Sequence, residues 1–164
     1  MKHLTPIYDI ANQFAQYTQT SIFITGNAGT GKTTFLRKLR STTQKQIAVV
    51  APTGVAAINA GGVTIHSFFQ LPFTPFVPTI EGEHNLMSKI KMTSMRRKVI
   101  QELELLVIDE ISMVRADLLD EIDTVLRHIR YRKNLPFGGV QVIFIGDLYQ
   151  LPPVVTPDVQ ETLA

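Results

Sequence analysis

Four short runs of apolar residues punctuate the chain. They are rich in Ile, Val and Phe and mostly do not alternate with polar residues. The runs cover residues 21–25, 47–51, 105–108 and 140–145. Continuous apolar runs of this length are typical of strands that are buried on both faces of a parallel sheet. The pattern therefore predicts four buried strands.

Helical spacing of apolar residues dominates the segment 116–130. The residues that recur at this spacing are Leu118, Leu119, Ile122, Val125, Leu126 and Ile129. The residues that fall on the other face are Asp120, Glu121, Asp123, Arg127 and Arg130. Further helices are predicted over residues 32–40, 54–60 and 88–103. Because strands and helices alternate, we expect an α/β domain with a parallel sheet.

Proline and glycine interrupt this alternation in two places. Residues 71–78 carry three prolines interleaved with Phe73 and Phe76, which excludes a regular helix or a central strand. This composition favours a packed surface loop over an aromatic stacking platform. Residues 136–139, Pro-Phe-Gly-Gly, predict a turn from the long helix into the fourth strand.

Composition narrows the class of protein. The chain has 164 residues, of which 45% are hydrophobic and 18% charged, so one folded domain is expected. The absence of cysteine excludes disulfides, thiolate metal sites and cysteine nucleophiles. The first ten residues lack the apolar core of a signal peptide, and no run approaches the roughly 18 apolar residues of a membrane span. We therefore expect a cytoplasmic protein without a membrane partner.

A glycine-rich segment between the first strand and the next helix matches the pattern G-x-x-x-x-G-K-[ST]. Its backbone N–H groups and the helix N-terminus suit phosphate oxygens. Lys32 is expected to reach the β- and γ-phosphates of a nucleotide and Thr33 to ligate Mg²⁺. The strand–loop–helix context argues against a chance match. The candidate phosphate-binding residues are Gly26, Asn27, Ala28, Gly29, Thr30, Gly31, Lys32, Thr33 and Thr34.

Two carboxylates, Asp109 and Glu110, end the third apolar run. Paired charge at the end of a buried strand is costly unless a cation lies near. Beside a phosphate-binding loop, Asp109 would complete the Mg²⁺ shell and Glu110 would act as the general base on the attacking water. This pair favours a hydrolase over a phosphotransferase. The alternative is a carboxylate pair that caps the next helix.

The fourth run ends in Gly146-Asp147-Leu148-Tyr149-Gln150. Because strand C-termini face the ligand crevice in doubly wound sheets, Gln150 could contact the γ-phosphate or the attacking water. A polar turn is the alternative for this segment. Asp147 could bind the water network or cap the turn.

Two segments suit contacts with a phosphodiester. Pro52, Thr53 and Gly54 follow the second strand, and His66 and Ser67 come soon after. They offer hydroxyl and backbone N–H donors, although turn and core roles fit them equally well. Basic residues also cluster within residues 89–98 and 127–133, which is typical of solvated helix faces.

Taken together, the segments resemble the PIF-one family of superfamily-one DNA helicases, in a bacterial form. The matching segments are residues 26–33, 51–57, 61–68, 109–114, 136–141 and 146–154, in order and spacing from about residue 21 to 155. The resemblance implies a P-loop NTPase, RecA-like, with a three-layer α/β/α fold. It implies ATP and Mg²⁺ as cofactors, 5′-to-3′ translocation on single-stranded DNA and unwinding at duplex junctions.

The resemblance also implies residue roles. Lys32, Glu110 and Gln150 would be catalytic, with Gln150 coupling the nucleotide state to the DNA. The residues that would lie on the DNA path are Pro52, Thr53, Gly54, His66 and Ser67. The long helix would have a structural role. The family's adenine-reading glutamine has no clear match among Gln13, Gln16 and Gln19.

The same resemblance implies that residues 1–164 form a single N-terminal motor domain of a longer, nucleoid-associated protein. A wedge insertion and a second RecA-like domain, whose arginines complete the ATP site, would follow it. Two other interpretations stay open. A P-loop nucleotide kinase would need an acceptor pocket and an arginine-bearing lid, and no lid is evident after Thr33. A nucleotide-gated interaction module would use ATP as a switch and never contact DNA.

Overall fold

A five-stranded parallel sheet forms the centre of the molecule. The computed structural model describes residues 6–27 and 29–163. The strands are β1 Ile22–Thr25, β2 Ile47–Ala51, β3 Val63–Thr64, β4 Leu105–Ile108 and β5 Gln141–Gly146, in the spatial order β1-β5-β4-β2-β3. All neighbouring strands are parallel. The four predicted strands are present and the two-residue β3 is an addition. The predicted burial is wrong for β1, which lies at the edge of the sheet and leaves Phe23 45% exposed.

Eight α-helices are seen in the part of the chain that the structure describes. They are α1 Pro6–Tyr17, α2 Lys32–Thr42, α3 Gly54–Ala60, α4 Ile65–Phe69, α5 Ile80–Lys89, α6 Ser94–Glu102, α7 Ala116–Ile129 and α8 Pro157–Leu163. None of these helices is long and apolar enough to cross a membrane. The helices predicted after β1 and β2 and the long helix at α7 are confirmed, with end shifts of at most two residues.

The central strands β4 and β5 are buried on both faces, which explains their continuous apolar runs. Within β4, Leu105 and Val107 face a cluster that includes Phe35 of α2. Leu106 and Ile108 face the opposite cluster, to which α4, α6 and α7 contribute. Alternate residues of a strand point to opposite faces, so a strand covered on both sides must be apolar throughout. The result is the predicted three-layer α/β/α arrangement.

The helix predicted over residues 88–103 is wrong, because the chain forms two helices there. The first ends at Lys89, and Ile90 is already extended, with φ −74° and ψ 109°. The second begins after Thr93, whose hydroxyl oxygen accepts a hydrogen bond from the N–H of Arg96 at 3.2 Å. A side-chain hydroxyl at this position satisfies a first-turn amide and so favours a new N-terminus over a continuous helix.

Arg130, which the spacing assigns to a solvated basic face, has a structural role at the end of α7. Its guanidinium donates to the carbonyl oxygens of Ile100 at 2.9 Å, Leu103 at 2.7 Å and Gly138 at 2.9 Å. It thereby ties α6 and the Pro-Phe-Gly-Gly turn to the long helix. That turn is tight, since a Cβ on Gly138 would lie 2.6 Å from the carbonyl oxygen of Leu126.

Glu121 also departs from the expected polar face of α7. Its side chain is buried, at 2% exposure, and its Oε1 has no hydrogen-bond partner among residues 6–27 and 29–163. Its neighbour Asp117 is held by Arg115 through two hydrogen bonds of 2.8 and 3.0 Å. Burial, reinforced by the like charge of Asp117 and opposed by Arg115, raises the pKa of Glu121 to about 8.

The raised pKa of Glu121 predicts a pH-dependent loss of stability. An unfolded carboxyl ionises near its ordinary pKa of 4.5, whereas the folded one holds its proton up to about 8. Its stabilising contribution is therefore complete below 4.5 and is lost as the pH rises to 8. We expect Glu121→Gln to melt at a higher temperature than the parent chain at pH 8, with the difference vanishing near pH 4.5.

Thermal unfolding of the variant across this pH range tests the prediction. The exposed Glu102 on α6 supplies the matched control, because Glu102→Gln should leave the pH dependence unchanged. A melting difference between Glu121→Gln and the parent chain that stays constant from pH 4.5 to 8 would show that Glu121 ionises normally in the folded protein.

Candidate functional site

The register of the sheet aligns the ends of three strands. Thr25 of β1 pairs with Gly146 of β5, and Ile108 of β4 pairs with Phe144 of the same strand. Because β5 lies between β1 and β4, the three segments that follow these strands begin side by side at one edge. They are the glycine-rich loop, the Asp-Glu pair and the segment that leads to Gln150.

Glycines shape the loop between β1 and α2. Gly29 and Gly31 adopt φ angles of 81° and 99°, in the region that other residues rarely occupy. Gly31 stands at the N-cap of α2 and has no side chain to bond the first-turn amides. These amides are consequently available to an anion, as in other phosphate-binding loops. Thr33 and Thr34 lie exposed on this first turn, and Ala28 lies outside the described residues.

Lys32 lies within the curve of the loop. Its ammonium group donates hydrogen bonds to the carbonyl oxygens of Gly26 and of Asn27, the latter at 3.1 Å. Thr30 stabilises the same curve, since its hydroxyl donates to the Asn27 carbonyl oxygen at 2.8 Å. The only charged side chain in residues 26–34 is therefore directed toward the centre of the loop.

Tyr8 of α1 packs against the outer side of the loop, a contact that the sequence analysis did not predict. Its hydroxyl lies 3.3 Å from Oγ1 of Thr30, and its ring stacks on Phe35 of α2 with centroids 5.4 Å apart. A Cβ on Gly31 would come within 3.4 Å of this ring. The buried residues Tyr8, Ala11 and Ala15 follow helical spacing, and this signal could have revealed α1.

Three glutamines precede the glycine-rich loop in the sequence. One of them, Gln16, lies at the C-terminal end of α2, whereas the loop joins the N-terminal end. Its amide donates to Asn12 at 2.9 Å and to Thr42, the last residue of α2, at 3.2 Å. Gln13 and Gln19 are exposed. The end of α1 that meets the loop carries Tyr8, so the structure gives Gln16 no access to a nucleotide base there.

Asp109 and Glu110 leave β4 through a sharp turn. Asp109 extends the ladder by donating its N–H to the Val50 carbonyl oxygen at 2.9 Å, and its Oδ1 accepts the N–H of Glu110 at 2.9 Å. Glu110 has a left-handed conformation, with φ 53° and ψ 45°, and its side chain makes no capping hydrogen bond to the following turn. The capping alternative for Glu110 is therefore not observed.

The acidic side chains share one electrostatic environment with Lys32. Burial raises the pKa of Asp109, while the Glu110 N–H and Lys32 oppose the shift. Burial also raises the pKa of Glu110, with contributions from Asp109 and Asp147, and Lys32 again opposes it. The pair is therefore partly desolvated and carries more negative than positive charge nearby, which suits a divalent cation.

A closed metal site is not seen among the residues that the structure describes. No group of three or more His, Asp or Glu side chains there could hold a metal ion. A site with one or two protein ligands is typical of Mg²⁺, which usually completes its shell with water and substrate phosphates. The donor set at Thr33 and Asp109 fits that kind of site.

Asp147 caps the turn after β5, one of the two roles considered for it. Its Oδ1 accepts the N–H of Tyr149 at 3.0 Å, and its carbonyl oxygen accepts the N–H of Gln150 at 3.0 Å. This turn leaves Gln150 exposed at the wall of a cavity of about 620 Å³ that Glu110 and Thr53 also line. The structure thus brings Gln150, Glu110 and Thr53 to one cavity.

The two segments that suit a phosphodiester meet at the same sheet edge, because Ala51 of β2 pairs with Thr64 of β3. Thr53 uses its hydroxyl oxygen to cap α3, accepting the N–H of Ala56 at 3.2 Å. Pro52 is half-buried and Gly54 exposed.

At the start of α4, Ser67 is exposed and His66 is half-buried. The His66 ring stacks on Phe73, and burial together with the nearby Arg115 lowers its pKa. The second segment therefore presents an exposed hydroxyl group and a half-buried imidazole ring beside the first.

Comparison with known proteins identifies the family. The family model described as PIF1-like helicase matches residues 4–164. The ATP-dependent DNA helicase PIF1 of Candida albicans is 44% identical over 140 residues, which cover 82% of this chain and 15% of that protein.

Solved structures agree with the sequence comparison. Bacteroides sp Pif1 in complex with ADP-AlF4 is 45% identical and superposes with a TM-score of 0.86, covering 99% of this chain and 36% of that one. Bacteroides Pif1 bound to ssDNA gives 45% identity and a TM-score of 0.85, with the same coverage of both chains. The likeness confirms the predicted RecA-like P-loop fold. The chain spans 15% of the Candida protein and little more than a third of the Bacteroides chains. It belongs to the PIF1-like helicase family.

Proposed function

We propose that this chain is the first RecA-like motor domain of an ATP-dependent DNA helicase. In this proposal residues 1–164 bind and hydrolyse ATP, and a second RecA-like domain of the same longer protein completes the motor. The whole protein would move 5′ to 3′ along single-stranded DNA and unwind duplex junctions. The observation that carries the proposal is the convergence of Lys32, Asp109 and Glu110 at adjacent strand ends.

The phosphate-binding role belongs to residues 26–34. The first-turn amides of α2 and the backbone of the loop would bind the phosphate oxygens, and Lys32 would move from the loop carbonyls to the β- and γ-phosphates. Thr33 and Asp109 would hold Mg²⁺, which neutralises phosphate charge when bound. Glu110, which is free of capping bonds, would accept a proton from the attacking water.

Contact with DNA is assigned to the neighbouring edge of the sheet. Pro52, Thr53 and Gly54 on one segment and His66 and Ser67 on the next would line the path of the strand. Thr53 shares a cavity with Glu110 and Gln150, so that cavity offers a direct route between the hydrolytic base and the DNA path. The relatives that support this assignment are Bacteroides Pif1 structures, one with ADP-AlF4 and one bound to ssDNA.

Hydrolysis by residues 1–164 alone should be slow. In related phosphoryl-transfer sites an arginine supplied from another domain or protein is worth about 10³ to 10⁵ in rate. We propose that the second RecA-like domain supplies such arginines. The chain by itself should therefore bind ATP weakly and lack unwinding activity.

Phosphate release and oligonucleotide binding test the proposal together. We expect slow ATP hydrolysis by the chain, and binding of single-stranded DNA that weakens steeply with salt because phosphate contacts release counterions. Extending the chain into the following domain should make hydrolysis faster and DNA-stimulated. Phosphoryl transfer to a nucleoside monophosphate, or salt-independent DNA binding with no effect of DNA on hydrolysis, would contradict it.

A further inference from the structure

The two phenylalanines of the proline-rich loop after α4, residues 71–78, differ in solvent exposure. Phe76 is buried, with 4% exposure, and its N–H donates to the carboxylate of Asp117 at 3.4 Å. Leu71 is also buried, and its N–H donates to the carbonyl oxygen of His66 at 3.1 Å. Phe73, between these anchors, is 88% exposed. A loop that is fixed at both sides therefore presents one large apolar ring to solvent.

The Phe73 ring lies flat on His66. The two ring centroids are 4.6 Å apart and the planes are inclined by only 11°. His66 is half-buried, so the histidine forms the lower layer of the stack and the opposite face of Phe73 remains open. The open face of Phe73 is therefore accessible to a second planar group in an offset stack.

The surroundings of this stack match a nucleic acid strand. His66 belongs to α4, which follows Thr64, and Thr64 pairs with Ala51 immediately before Pro52 and Thr53. The exposed Ser67 follows His66 directly and adds a hydroxyl group beside the stack. A flat aromatic face next to hydroxyl groups suits single-stranded DNA, because bases stack on rings and phosphates accept hydrogen bonds from polar donors.

We propose that Phe73, supported by His66, is a stacking platform for one base of the bound single strand. The inference rests on the proposed function, and it adds a stacking role for Phe73 to a loop whose Leu71 and Phe76 are packed. Stacking on an aromatic face accepts every base, so this contact would add affinity without sequence preference.

A single tryptophan tests this inference, because the chain contains none. In Phe73→Trp, we expect indole emission to be quenched when a short oligothymidine is added at low salt. Tyr131 is 78% exposed and lies beyond α7, so Tyr131→Trp is the matched reporter and should keep its emission. Phe73→Ala should weaken the affinity roughly 5- to 150-fold, and Phe73→Tyr should preserve it.

Abasic oligonucleotides separate stacking from a general effect. If the platform stacks a base, Phe73→Ala and the parent chain should bind an oligonucleotide made entirely of abasic sugars with equal affinity. Firm binding of oligothymidine with no effect of Phe73→Ala and no change of Trp emission would overturn the inference and leave the proposed function standing. Failure of the parent chain and of the extended chain to bind any oligonucleotide would overturn both.

Discussion

Lys32→Ala should reduce the rate of ATP hydrolysis by at least about 10²-fold. The ammonium group is the only cation in residues 26–34, and its hydrogen bonds to Gly26 and Asn27 already place it inside the loop. Removing one preorganised donor from a site of developing negative charge costs about 10² to 10³ in rate. The same change removes an electrostatic partner of Asp109 and Glu110.

The matched control is Lys38, on the same helix. Its ammonium lies at the surface, 3.6 Å from Asp9, and such exposed pairs contribute at most about 1 kcal/mol to stability. Lys38→Ala should therefore retain the parental rate of phosphate release, measured with saturating ATP and Mg²⁺. Hydrolysis that survives Lys32→Ala at full rate would place the nucleotide elsewhere on the molecule.

Glu110→Gln should lower the rate of hydrolysis by about 10² to 10⁴, the usual contribution of a general base, and leave nucleotide binding almost unchanged. The substitution keeps the size of the side chain and removes only its ability to accept a proton. The folded state should tolerate it, because the Glu110 side chain caps no turn and the backbone hydrogen bonds to Asp109 and Met113 do not involve it.

Two measurements on the same variant distinguish catalysis from binding. Titration with a fluorescent ATP analogue gives the affinity, and phosphate release under single-turnover conditions gives the rate. Glu102→Gln, at an exposed ion pair on α6, should change neither value. An equal loss of affinity and rate in Glu110→Gln would indicate that Glu110 positions the nucleotide and does not activate water.

Much of the fold could be predicted because the central strands β4 and β5 are buried on both faces. Such strands have to be apolar along their length, and apolar runs stand out in any sequence. The edge strand β1 shows the same kind of run although Phe23 is exposed, so its exposure could not be predicted. The elements that escaped prediction are short or depend on their neighbours. β3 has two residues and exists because it pairs with Val50 and Ala51. The break between α5 and α6 is marked by the N-cap of α6, where the hydroxyl oxygen of Thr93 accepts the Arg96 N–H, and no proline or glycine signals it in the sequence.

The charged residues of α7 show a second limit of sequence patterns. Helical spacing identifies two faces but not what packs over the polar one. Arg130 is drawn inward by a distant partner, the carbonyl oxygen of Ile100, and Glu121 is buried although its Oε1 has no hydrogen-bond partner among the described residues. A residue's periodicity is local, whereas its burial is decided by the whole fold.

The glycine-rich loop and the Asp-Glu pair could be recognised from residue types alone, because each is a contiguous segment. Which of these groups meet depends on the order of the strands, which no local pattern gives. The strand order β1-β5-β4 places Lys32, Glu110 and Gln150 at one edge, although more than a hundred residues separate the first from the last. The stack of Phe73 on His66 likewise could not be predicted from the sequence, because it depends on which side chains of the loop are buried.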